Sequence, residues 1–572
     1  MEKVREFSKR QGVLLGVIVS ALCGAVLAAG GVPDLQVPVE SGQVLAGIVT
    51  YPADNPFAVY HLKLWTLLNQ LAAFLLQAGL ADGQASLLIE GVLGAISFVA
   101  IFLLVLAVSG RTSVALFAPL FIHFLDLVGI PIAYPIWLMG TSHSYGILGL
   151  SSALLVLALF GVGRQRSGAF LAGMIPALHP SLGAFTWVVM ASAVLLHRRA
   201  LRPLTRPLLL AFGAGVVVTA ASLLWQLHFF PDLPGLEPAL KRQYLEAFIH
   251  NFDLHRSFSG WGHPGLLTAI LVAAIAVVAG RRGETPLGTR LALTALASSV
   301  AVTVAAAGLA EFTPFGAPLK MLMPWRYLNL ANLAAVPLAL GLLASGAGAR
   351  PRSRAALLLV VVFGALLWRL FLPLDPQWLY LLILLAVLLV LALPLPDLPE
   401  AVFGLLPRWQ GRITMVLMAI LLLLRVLPAT QFALANAPEA MVPEIYRFAA
   451  ERPGMLLTAG NLHLIQLQTR RPVLMDGGGL DFFTYVPETG PRFNEILGKV
   501  YGLDLFVPPA GEQLNRGELT FEHQALWERR SPAEWRQLGE EFGVTDILTP
   551  VGWQLKLPLL AQDDNVSLYT IP

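Results

Sequence analysis

The 572-residue chain is 56% hydrophobic and only 13% charged, with a mean hydropathy of +0.70. A soluble surface for a chain of this length needs far more charge, so a soluble globular protein is excluded. The net charge is a small +3, and the basic residues sit in short turns rather than in one patch, which argues against nucleic acid as a partner.

Apolar runs of roughly 17 to 22 residues recur through the first three-quarters of the chain, each long enough to cross a bilayer as a helix. The first follows a basic start (Lys3, Arg5, Lys9, Arg10) and reaches position 31, which reads as an uncleaved signal anchor. It holds the single cysteine, Cys23, so disulfides and Cys-based metal sites are excluded. Arginines then mark alternate turns: Arg111, Arg164/Arg166, Arg198/Arg199/Arg202/Arg206, Arg281/Arg282/Arg290, Arg350/Arg352/Arg354 and Arg408/Arg412. Placing these turns and the N-terminus in the cytoplasm puts loops 32–86, 129–145, 228–264, 310–325 and 373–377 outside, with everything after 430.

Two segments need separate treatment. Residues 63–80 are apolar, but a span there would invert every later loop, so an interfacial or partly inserted helix is expected. Residues 168–196 begin and end beside cytoplasmic arginines and are too short for two full spans. Their centre, Pro176-Ala177-Leu178-His179-Pro180, breaks any helix, so two short helices or a re-entrant hairpin should meet near His179. Counting that pair as two gives about thirteen spans, each set by bilayer thickness. In the loop 228–264 an amphipathic helix is expected near 236–250.

From about 435 onward charge, glycine and proline return. Helices are expected at 442–452, 493–502 and 532–543, and strands at 455–459, 472–475, 545–549 and 566–571. The expected architecture is a polytopic α-helical membrane protein, residues 1–430, followed by an extracytoplasmic α/β domain, residues 431–572. Gly477-Gly478-Gly479 follows Asp476 without the remainder of a phosphate-loop motif.

Candidate chemistry lies mostly in the outer loops. The first carries Asp34, Glu40 and Asp54, any of which is either a general base toward a hydroxyl or a solvated loop charge. Asp54 stands out in Tyr51-Pro52-Ala53-Asp54-Asn55-Pro56, close to His61. In the loop 310–325 and just beyond it, Glu311, Lys320 and Arg326 stand among apolar and aromatic residues. The two cations either grip a lipid phosphate or snorkel to headgroups. His228, His250, His255 and His263 lack the spacing of a metal site. Within the apolar runs Glu90, His123, Asp126, His143 and His179 need partners or water. A histidine at a helix break also serves simply to hydrogen-bond loose backbone.

This layout resembles the GT-C superfamily of membrane glycosyltransferases, which take sugars from polyprenyl-phosphate or polyprenyl-pyrophosphate carriers. The cytoplasmic start, the acidic first outer loop with its interfacial helix, the span count and the external tail are most similar to the oligosaccharyltransferase catalytic subunit. The resemblance implies an acid from the first outer loop, here Asp54 or Asp34, as catalytic base. It implies Glu311 as a second acid that orients hydroxyls, and Arg326 or Lys320 at the carrier phosphate, with His61, His143 and His179 as further substrate-binding candidates. Two departures stand out: the loop 129–145 lacks the acids that hold a divalent metal in that branch, and no WWD motif occurs after 430. These set peptide N-glycosylation aside in favour of transfer of one sugar to a glycan, lipid or protein hydroxyl, with metal dependence left open and no cofactor assigned. The expected setting is a bacterial plasma membrane. Two other readings stay open: a transporter or flippase of lipid-linked or polar substrates, and a non-catalytic membrane assembly subunit.

Overall fold

The computed structural model describes residues 2–30, 35–52, 54–125, 144–233, 235–253, 256, 263–283, 285–313, 316–345, 351–371, 376–392, 397–400, 404–435, 442–459, 462–476, 479–507 and 523–572. Among these, eight helices are long and apolar enough to cross a membrane. The chain is therefore a polytopic helical membrane protein.

In chain order the helices are α1 (Glu2–Ala29), α2 (Val37–Leu45), α3 (Pro56–Lys63), α4 (Leu67–Gln77), α5 (Asp82–Ser109), α6 (Thr112–Leu125), α7 (Ser144–Gly161), α8 (Gln165–Leu178) and α9 (Pro180–Leu196). They continue with α10 (Arg198–Leu201), α11 (Thr205–Leu227), α12 (Pro238–Asn251), α13 (Pro264–Gly280), α14 (Leu287–Phe312), α15 (Gly316–Met321), α16 (Asn329–Ala344), α17 (Pro351–Phe371) and α18 (Pro376–Ala392). A last apolar stretch, Trp409–Gln431, follows.

α16 runs through the centre of the bundle, wholly buried, whereas α11, α17 and the last stretch turn most of their surface outward. Outward leucines and valines need no solvation in lipid, so this gradient is that of a bundle whose rim faces hydrocarbon. α4 is only 11 residues long, about 16 Å at the α-helical rise and roughly half a bilayer core. It packs against α2.

The break falls at His179. Its backbone is extended (φ −157°, ψ 106°), which suits the residue before a proline, and it both ends α8 and starts α9. The two halves fold back on each other because Gly183 has no side chain: a Cβ there would sit 2.5 Å from Pro176 N. α11 leans on α8 by the same means, since a Cβ on Gly173 would lie 2.2 Å from Phe212 O.

The C-terminal part holds a four-stranded sheet in the order β1-β2-β4-β3. β1 (Met455–Thr458) runs parallel to β2 (Val544–Pro550), and β4 (Val566–Thr570) is antiparallel to β2 and to β3 (Leu559–Gln562). The helix expected at 532–543 is Pro532–Phe542, opened by a Ser531–Glu534 capping box and closed by Gly543 at φ 72°. The strand expected at 472–475 is reduced to a single bridge, Val473 to Leu456. Trp527, Trp535 and Phe493 fill the core beside the sheet. Asp546, fully buried on β2, is held by Arg471 (2.8 Å) and Arg452 (2.9 Å).

Candidate functional site

The first of the three short helices between α1 and α5, and the chain just after it, are clamped from the far end of the chain. The Gln466 amide donates to the Glu40 carbonyl oxygen (2.8 Å) and to Gln43 Oε1 (3.2 Å), while Gln43 Nε2 donates to the Leu467 carbonyl (3.1 Å). The Tyr51 hydroxyl donates to Gln466 Oε1 (2.6 Å) and accepts from the Val473 amide (3.2 Å). Glu40, Gln43 and Gln466 are all buried. Each amide group there is satisfied, as burial requires.

Inside this clamp the Glu40 carboxyl lies beside Asp476. Burial, and after it the field of Asp476, holds the Glu40 carboxyl well above the usual carboxylate range. Glu40 Oε1 has no hydrogen-bond partner among the described residues. On α3, His61 Nδ1 meets the Ser41 hydroxyl (2.9 Å), and its Nε2 is likewise buried without a partner there. Burial pushes the His61 imidazole down to about 3, so it is neutral at physiological pH. Tyr145, whose hydroxyl donates to Asn69 Oδ1 (2.7 Å), extends the polar chain onto α7 and α4. Over α3 lies the segment that follows Asp476: the Phe482 ring stacks on Tyr60 at 3.9 Å, and the half-exposed Tyr485 meets Tyr60 edge-on at 5.7 Å.

The helix break and the start of the central helix adjoin this region. Thr66, at the head of α4, donates to the Leu178 carbonyl just before the break (2.9 Å). His179 Nδ1 accepts from the Leu182 amide at 3.4 Å, so this histidine caps α9. Tyr327 stacks on Phe185 (4.4 Å) and donates to the Ser181 carbonyl (3.3 Å), and the charge of Arg326 reaches the His179 ring. Arg256, paired with Asp253 in a buried salt bridge, lies 5.8 Å from the centre of the Tyr485 ring.

Backbone strain collects at the same place. Among the described residues three non-glycine positions have positive φ: Met323, Leu464 and Arg470. Met323 precedes the Pro324–Leu328 turn that carries Arg326, and the other two bracket Ile465–Thr469, which carries Gln466. Such conformations persist where the surroundings over-determine them, often at functional sites.

The structure thus ties His61 to the clamp through Ser41 and sets Arg326 near His179, at the break that Thr66 holds to the head of α4. Asp54 lies apart from the clamp, in an ion pair with Arg492 (3.2 Å) at a more exposed surface. Glu311 and Lys320 pair with each other at 2.9 Å. Asp34, Asp126 and His143 fall outside the described residues. In the sequence Asp476 stood out only as the acid ahead of a glycine run, and Glu40 as one acid of three. Their signal was an acid set among apolar neighbours, Val37-Pro38-Val39-Glu40 and Val473-Leu474-Met475-Asp476, where a solvated charge has no place. Among the described residues no group of three or more His, Cys, Asp or Glu is arranged to hold a metal ion.

The sequence matches no protein-family model, and a comparison with curated proteins yields no match.

Proposed function

We propose that the chain is a glycosyltransferase of the GT-C type, moving a sugar from a polyprenyl-phosphate carrier to a hydroxyl acceptor on the outer face of a bacterial plasma membrane. In this reading the five apolar segments α6, α8, α9, α13 and α18 join the eight longer spans, for about thirteen crossings of a bilayer. An odd number leaves the N-terminus inside and the C-terminal α/β part outside, as the arginine-bearing turns require.

The observation that carries the proposal is the Glu40 carboxyl, buried against Asp476, with an oxygen left unpartnered among the described residues, one position before the Ser41 that bonds the neutral His61. Two carboxyls in one buried site share a proton, so the pair holds one proton and one negative charge and can take up a second proton. An acceptor hydroxyl placed at Glu40 Oε1 would give its proton to Glu40 as Glu40 passes its own to the ionised Asp476, so that the pair takes up one proton while the hydroxyl oxygen attacks the anomeric carbon. The carrier phosphate would leave toward Arg326, whose guanidinium matches phosphate in bidentate fashion. Lys320 would exchange Glu311 for the phosphate. Admission of the acceptor requires the segment around Phe482 and Tyr485 to lift from α3. Glu40 takes the role here that the layout alone assigned to Asp54 or Asp34.

The helix break at His179 and the buried Glu90 on α5 favour a second reading, transport of a lipid-linked or polar substrate. One experiment separates them. Purified full-length protein in liposomes is given labelled polyprenyl-phosphate sugars, and both transfer to acceptor and passage across the bilayer are followed. Transfer that falls by roughly two orders of magnitude in Glu40→Gln supports the proposal, that being the scale of a lost general base. Passage without transfer in the unaltered protein establishes the transport reading instead. Transfer unaffected by Glu40→Gln removes Glu40 from the mechanism.

A further inference from the structure

Between the Pro52–Asn55 turn and the C-terminal sheet lies a cavity of about 230 Å³, outside the Glu40 clamp. Its apolar side is built by Met455, Leu474 and Ile496, and its polar side by Asp54, Arg492 and Glu541. Arg492 is held on three sides: by Asp54 at 3.2 Å, by Glu495 at 2.7 Å, and by the Phe542 ring, 4.8 Å below the guanidinium. Its planar fork is therefore fixed in direction before any ligand arrives. Asp54 is largely exposed and joins the cavity to solvent.

The lining limits the occupant. Asp54, Glu495 and Glu541 stand against Arg492 and Lys499, three carboxylates to two cations already paired with them, which disfavours an anion, so this is no phosphate subsite. The guanidinium repels a cationic side chain. A purely apolar chain would take the Asp54–Arg492 pair, and Glu541 with its partner Lys499, out of water and return no polar contact. A neutral polyol suits all three groups: its hydroxyls donate to Asp54 and Glu541 and accept from Arg492, while its C–H face covers Met455, Leu474 and Ile496. At about 230 Å³ the space is below the roughly 300–1,000 Å³ of pockets for drug-sized ligands, and so suited to a single ring.

We propose that this cavity is a saccharide-binding site that takes one sugar ring. Its role follows from the run of chain that lines it: Leu474 faces the cavity, and two residues on Asp476 stands beside Glu40. A glycan bound here is led toward the buried carboxyls, so the cavity anchors the acceptor at a distance from its reacting hydroxyl. That role rests on the transferase reading, whereas the binding of sugar does not.

The test is a titration of the full-length protein in detergent with glucose, galactose, mannose, N-acetylglucosamine and arabinose, followed by ligand-observed NMR. A lysine-rich peptide and inorganic phosphate are run in parallel. Saturable binding of at least one sugar is expected, weakened roughly tenfold in Arg492→Lys and in Asp54→Asn, the scale of one lost charge-assisted hydrogen bond. Both replacements are close in size and leave the fold intact, which an unchanged melting temperature verifies. Glu40→Gln should bind sugar as the unaltered protein does. Absence of saturable sugar binding, binding indifferent to Arg492 and Asp54, or preference for the peptide or phosphate overturns the inference. Sugar binding without any transfer in liposomes would sink the transferase reading and leave the saccharide site standing; transfer without sugar binding would do the reverse.

Discussion

The Gln466 side chain donates to the backbone carbonyl oxygen of Glu40 at 2.8 Å, tying the first short helix after α1 to the C-terminal part of the chain. The bond holds the backbone of α2 at Glu40, and the same amide also holds the Gln43 side chain one turn on. Most consequences for stability and chemistry can be traced from it.

The raised Glu40 carboxyl makes the fold pH-dependent in a defined sense. The folded chain holds a proton that the unfolded chain releases above the usual carboxylate range, so stability declines as pH rises beyond that range. Glu40→Gln cannot ionise and escapes this loss. Its melting temperature should exceed that of the unaltered protein at pH 8, with the gap closing toward pH 5. A variant that loses transfer while gaining stability has the signature of a residue kept for function. Equal melting curves at both pH values would show that Glu40 is not held protonated.

His61 acts in the opposite direction. Its folded value near 3 lies below the ordinary histidine range near 6.5, so only the unfolded chain takes up a proton between those limits. The stabilising contribution is complete above pH 6.5 and is lost as pH falls toward 3, at about 1.4 kcal/mol per pH unit. In His61→Gln the acid side of the stability profile should flatten between pH 6.5 and 5, where ordinary carboxylates do not titrate. A slope unchanged by the substitution would place the effect elsewhere.

Asp546→Asn should be the most damaging single change in the C-terminal part. Burial by itself would raise the Asp546 carboxyl, but hydrogen bonds and charge from Arg452 and Arg471 outweigh it and hold the group below its ordinary range. Removing the charge leaves Arg471 buried and uncompensated, at a cost of about 3–5 kcal/mol. Limited proteolysis should then cut beyond residue 442 at a temperature where the unaltered protein resists. Resistance equal to that of the parent would mean that water reaches Arg471.

Gly183→Ala tests the packing of the broken helix. The new methyl would meet the Pro176 backbone at 2.5 Å, so the two halves must spread, costing about 1–3 kcal/mol. Gly213→Ala is the control: it lies within α11 with nothing near its side-chain position, and alanine favours a helix. Thermal unfolding in detergent should show a loss for the first and no loss for the second. Two equal losses would mean that the hairpin is not closely packed.

Much of the framework was legible because it is local. Pro176 and Pro180 around His179 announced a break whatever packs against it, and the break lies there. The helix expected near 236–250 is α12, and the one expected at 532–543 is Pro532–Phe542. The pairing of Glu40 with Asp476 was hidden, since charge in a sequence carries no burial and nothing local joins these two positions. The segment 472–475 has the composition of a strand, yet its pairing is a single bridge at Val473, made by the Pro472 carbonyl and the Leu474 amide to Leu456, while the Val473 amide donates to the Tyr51 hydroxyl. β3 went unseen because its residues are mostly exposed and show no alternation of burial.

The clamp around Glu40 also sets an order of assembly. The α2 helix is made early, but the groups that bury its acid come from positions 466 to 476, after every apolar span has been synthesised. Until then Glu40 is a carboxylate with water around it and an ordinary affinity for protons. The centre therefore comes into being with the last stage of folding, when the final part of the chain closes over α2. A nascent or truncated chain can hold its spans in the bilayer without yet possessing the group proposed to act on substrate.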